Sequence, residues 1–103
     1  MLYYMVTLKL KPGKAQGYME AFQSQGGPRL FEKHGVTLVG SWLTAVGDTS
    51  ELVAIHGYRD YDHLLSFWQS DDPEVQALMA RTPEFLEGLS SRIITPTPYS
   101  PIK

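Results

Sequence analysis

The chain has 103 residues, 43% of them hydrophobic and 19% charged, a formal net charge of -2 and no cysteine. That length suits one domain with its own core, here expected to span 1–103 with the core at about 1–96 and an extended tail at 97–103. The charge balance supplies no basic field for nucleic acid or anionic lipid, and the lack of cysteine removes disulfides, thiolate nucleophiles and cysteine zinc sites.

Leu2 to Leu10 alternate, with Leu2, Tyr4, Val6, Leu8 and Leu10 on one face and Tyr3, Met5, Thr7 and Lys9 on the other, which predicts a first strand ended by Lys11-Pro12-Gly13. The same segment has no basic leader pattern, and no apolar run reaches the length of a membrane span, so a soluble, cytoplasmic protein without a membrane partner is expected. Ala15, Tyr18, Met19 and Phe22 then recur at helical spacing. Gly26-Gly27-Pro28 breaks that helix and opens a new turn, which carries Leu30 and Phe31 to a left-handed cap at Gly35.

Val36 to Val46 and Glu51 to Arg59 read as a hairpin turning at Gly47-Asp48-Thr49-Ser50. Asp60 is placed to cap a helix in which Tyr61, Leu64, Leu65 and Trp68 recur at helical spacing, and Asp72-Pro73 starts another that buries Val75, Leu78 and Met79. Thr82-Pro83 ends it; a last strand is predicted at about Leu89 to Thr95, before a tail held extended by Pro96, Pro98 and Pro101. The order βαββαβ gives an α+β, ferredoxin-like fold with a four-stranded antiparallel sheet and both helical regions on one side.

The strands are apolar on both faces. Simple alternation puts Leu38 and Trp42 on one face of the second strand and Val39, Leu43 and Ala45 on the other, while Val53 and Ile55 oppose Leu52 and Ala54 in the third. Such a patch left in water would forgo on the order of several kcal/mol, and packing against a second copy removes it, so a homodimer joined through the sheet is expected. The alternative is that the tail and loops cover the second face.

Three histidines are the acid-base candidates. Alternation groups His56 with Leu52, Ala54 and Tyr58, pointing it into an apolar layer under the helices or at the dimer seam; a satisfied structural histidine is the plainer reading. His34 falls at a helix end, where its charge suits the dipole, and His63 on a first helical turn exposed to solvent. Tyr4, Trp42, Tyr58 and Trp68 are candidate walls for a flat aromatic ligand, against the plainer reading of core packing, and Arg92 would hold a carboxylate or phenolate if it faced the same space. No spacing matches a metal site, a phosphate loop, a dinucleotide fingerprint or a catalytic triad, and no cofactor is expected.

The stretch His34-Gly35-Val36-Thr37-Leu38-Val39-Gly40-Ser41-Trp42-Leu43-Thr44-Ala45-Val46-Gly47 resembles the signature of the NIPSNAP family, and the likeness continues through Glu51 to Asp60 and Asp72-Pro73-Glu74-Val75. The third strand departs from it, with His56-Gly57-Tyr58 where members commonly carry an aromatic such as tryptophan, and Leu64-Leu65-Ser66-Phe67-Trp68 replaces an arginine-rich helix. The resemblance implies a dimeric α/β barrel with a cavity between each sheet and its helices. It carries a small apolar or aromatic ligand there as the leading reading, with His56 as acid-base residue of a cofactor-independent monooxygenase- or isomerase-like enzyme. The alternative is a non-catalytic protein-interaction module whose sheet serves dimerisation. Haem binding through His63 near Trp68 is a third reading by superfamily analogy.

Overall fold

The computed structural model describes Met1–Lys103. Strands β1 (Leu2–Leu10), β2 (Thr37–Leu43), β3 (Glu51–Tyr58) and β4 (Leu86–Ile94) form one antiparallel sheet in the spatial order β2-β3-β1-β4. Helices α1 (Ala15–Ser24), α2 (Gly27–Lys33), α3 (Tyr61–Trp68) and α4 (Pro73–Arg81) provide the helical layer. No helix is long and apolar enough to cross a membrane.

The element ends follow the local chemistry. Asp60 caps α3 by accepting the His63 amide at 2.8 Å, Asp72 caps α4 by accepting the Glu74 amide at 2.9 Å, and Gly35 takes the left-handed conformation just past α2 (φ 70°). Two strand boundaries differ by more than one residue from the sequence reading. β2 stops at Leu43, leaving Val46 exposed in the hairpin loop, where Lys9 pairs with Asp48. β4 begins at Leu86, because the chain after α4 tightens into one 3₁₀ turn, Thr82–Phe85, with Pro83 early in it, and enters the sheet directly.

Directly paired residues share a face, so the register assigns the sides. Leu2, Tyr4, Val6 and Leu8 of β1 lie opposite Tyr58, His56, Ala54 and Leu52 of β3, and these form the inner face, under the helices. The outer face carries Tyr3, Met5 and Thr7 of β1 with Val53 and Ile55 of β3.

Two bulges change the parity that uninterrupted alternation would give. Leu38 pairs with His56 and Gly40 with Ile55, so Val39 is an extra residue and every position after it changes sides. Trp42 therefore faces outward opposite Val53, which corrects its placement with Leu38, and Ser41 and Leu43 turn inward. Gly40 belongs to the same arrangement: a Cβ there would come within 2.4 Å of the Trp42 ring, which folds back over the strand. A second irregularity, with Glu87 as the extra residue, lets Leu86 and Leu89 both face inward against Leu10 and Leu8 although they are three apart.

The buried core falls into two clusters. One joins Leu2 and Tyr58 to Leu30, Phe31, Val36, Leu64, Phe67, Val75 and Leu78; the other holds Val6, Leu8, Leu10, Leu52 and Ala54.

Candidate functional site

Between these clusters the helices stand away from the sheet and leave a cavity of about 510 Å³. Its floor is the inner face of the sheet, with Tyr4, Val6, Leu52, Ala54 and His56. Its walls come from every helix, including Tyr18 and Phe22 of α1, Phe31 of α2, Trp68 of α3 and Met79 of α4. Exposed lining residues, among them Trp68 (37% exposed), Ser41 and Leu89, mark where it meets solvent. No Asp, Glu, Lys or Arg lines it.

His56 is the one imidazole in the cavity. It is 7% exposed, with Phe31 edge-on at 4.7 Å between ring centroids and Tyr4 at 6.0 Å. Its Nδ1 is enclosed and has no hydrogen-bond partner. Burial lowers its pKa to about 4, so the ring is neutral at pH 7. Burial likewise raises the pKa of the Tyr18 hydroxyl. Trp68 packs against Tyr4 at 5.4 Å, which places an indole beside the phenol ring.

The six residues singled out from the sequence divide accordingly. Tyr4, His56 and Trp68 meet at the cavity. Trp42 does not, because the bulge turns it outward, where it is 54% exposed. Arg92 pairs with Met5 and so lies exposed on the outer face, where it can meet no anion in the cavity. Tyr58 points inward but is packed beneath α3 against His63 and Phe67, fully buried and away from the lining, and burial pushes its hydroxyl pKa well up.

The other two histidines are tied into structure. His63 is buried, not solvated as its position on a first turn suggests: Nδ1 accepts the Arg59 amide at 3.1 Å, which leaves Nε2–H to donate to the His34 carbonyl at 2.8 Å. Neither nitrogen is free to bind a haem iron. His34 ends α2 as expected, but its Nε2 is 2.8 Å from Asp72, which also holds Lys33 at 3.0 Å. These partners, His34 first, hold the Asp72 carboxyl below the usual range. No three His, Asp or Glu side chains gather into a metal-ligand set.

Sequence reasoning missed Phe31, Ala54, Tyr18 and the two methionines, Met19 and Met79, as lining residues. Their helical or alternating spacing signals burial, and a side chain facing a cavity has the same spacing as one facing a neighbour.

An antiparallel sheet ordered β2-β3-β1-β4 under one helical layer defines an α+β protein of the ferredoxin-like type, here with an uncharged cavity between its layers. The chain belongs to the NIPSNAP family, whose model matches residues 3–101. It is similar to an uncharacterized NIPSNAP domain protein from Burkholderia xenovorans (26% identity, TM-score 0.85), with 98% of this chain and 99% of that one covered. A NIPSNAP family protein from Agrobacterium tumefaciens is similarly close, at 24% identity and TM-score 0.86 over 99% and 98%. A putative antibiotic biosynthesis monooxygenase from Nitrosomonas europaea shares the fold at 13% identity and TM-score 0.74, over 93% and 98%. No curated protein matches the chain.

Proposed function

We propose that this protein binds a small apolar or aromatic molecule between its sheet and helices, and that it does so as a homodimer joined through the outer face of the sheet. The observation that carries the binding reading is the cavity: about 510 Å³, open to solvent, without ionised side chains, and floored by a histidine that lacks a partner. A sheet serving only dimerisation would call for no such space, and a structural histidine would be bonded to backbone, as His63 is. Tyr4 and Trp68 supply ring surface, Ala54 leaves room above the centre of the sheet, and His56 supplies the polar contact.

The Nitrosomonas neighbour's name suggests oxygenation as one chemistry for the bound molecule, but a likeness at 13% identity carries only the fold. The acid-base role for His56 is weakened by its pKa of about 4, far from the neutral value that favours proton transfer. A neutral imidazole that orients or polarises the ligand fits the site better.

For the dimer, the outer face sets the half-buried Met5, Val53 and Ile55 beside an exposed Trp42, an apolar surface that a second copy would cover.

The binding reading is tested by titration with Nile red, a neutral dye whose emission rises in apolar surroundings. The native protein should bind it saturably, and Ala54→Phe, which fills the cavity from the floor, should weaken binding by about ten-fold or more. Equal binding by Ala54→Phe would place the dye elsewhere and refute the reading.

A further inference from the structure

We propose that the cavity selects uncharged molecules that present a carbonyl oxygen to the Nε2–H of His56. This rests on the cavity being a binding site and names the chemistry it recognises.

The first step concerns the proton on the imidazole. A neutral ring carries one N–H and one lone pair. Nδ1 is enclosed with nothing to bond to, whereas Nε2 makes no bond within the chain and keeps accessible surface. An orphaned buried N–H is a rarer and costlier defect than an orphaned lone pair, so the lone pair belongs on Nδ1 and the proton on Nε2. The ring therefore offers the cavity a donor. Packing of Phe31 and Tyr4 holds it in place.

Apart from the Trp68 indole, whose N–H can only donate and so favours the same kind of ligand atom, the remaining polar lining does not compete for that role. The Thr82 hydroxyl is given to the Leu78 carbonyl at 3.0 Å, and Ser41 and Gln23 are exposed at the rim. The Tyr4 and Tyr18 hydroxyls can donate or accept by rotation, so they impose no sign on the ligand. Charge is excluded by the same walls: a carboxylate brought inside would find no cation, since Arg92 lies across the sheet. A ketone, quinone, lactone or ester carbonyl satisfies both conditions.

The test compares three molecules of nearly one shape: 2-acetylnaphthalene, 2-isopropenylnaphthalene, in which a methylene replaces the carbonyl oxygen, and 2-naphthoate at pH 8. Each is titrated calorimetrically into the native protein and into the His56→Leu and His56→Gln variants. The native protein should bind the ketone about ten-fold or more tightly than the carboxylate. The ketone-to-alkene affinity ratio should fall about five-fold or more in His56→Leu and recover in His56→Gln, whose amide again donates. Retained alkene binding by His56→Leu shows that the variant is folded. A ratio unchanged by His56→Leu, or naphthoate bound as tightly as the ketone, would overturn the proposal while leaving cavity binding intact. Failure of both neutral molecules to bind would overturn the cavity reading with it.

Discussion

His56 occupies a position where an aliphatic side chain would pack with nothing left unpaired. Leaving a buried ring nitrogen without a partner destabilises the fold by roughly 1–3 kcal/mol, so His56→Leu should raise the melting temperature while it removes ligand preference. The pH dependence follows from the pKa of about 4 against 6.5 for an unhindered imidazole. Between those values the unfolded chain takes up a proton that the folded chain does not. Stability therefore falls as pH drops through that window, by up to about 3 kcal/mol in total, and is indifferent to this group above it. Urea denaturation should show the gap between His56→Leu and the native protein widening from pH 7 to pH 4. A constant gap would mean that the ring is not shielded from water. Alternation placed this histidine in an apolar layer but could not say which side the helices take, and nothing in the spacing showed that Nδ1 lacks a partner.

At the scale of elements, the caps were legible because Asp60 and Asp72 stand just before apolar helical repeats, and each accepts an amide as expected. Asp60→Ala should cost about 1 kcal/mol. Asp72→Ala should lower the melting temperature further, because the same carboxylate also holds His34 and Lys33 and so ties the end of α2 to the start of α4. Its carboxyl titrates below the usual range, so this contribution is present above the ordinary aspartate pKa and is lost only as pH falls through the depressed one. Equal melting temperatures for the two variants would show that the tie between helices is idle. Strand parity was the part that failed. One extra residue at Val39 exchanges the two sides of β2; the glycine inside the strand, Gly40, is the one signal of such a bulge, and plain alternation ignores it. Trp42 was misassigned for that reason, whereas Arg92 was undecidable until pairing with Met5 fixed its face.

For the whole molecule, the order of elements and the one-sided helical layer could be read from periodicity, and the apolar character of both sheet faces survives the change of register. Even after the bulge puts Trp42 in the place of Leu43, the outer face keeps Met5, Val53 and Ile55. A stable dimer buries about 800 Å² on each partner. Light scattering should give twice the chain mass for the native protein and the chain mass for Ile55→Asp with its circular dichroism unchanged; a monomeric native protein would refute the dimer. What periodicity could not supply is the cavity, because side chains that line a space and side chains that fill it are spaced alike.

The two tryptophans lie on opposite sides of the sheet, Trp68 at the cavity and Trp42 on the outer face, so one reports binding and the other acts as a control. The most direct measurement is a ¹H–¹⁵N correlation spectrum followed through titration with 2-acetylnaphthalene. Saturable movement of the Trp68 indole and of the Ala54 and His56 amides, with the Trp42 indole still, is the predicted result. Movement of Trp42 with Trp68 unmoved, or no movement of either, would contradict a binding site between sheet and helices.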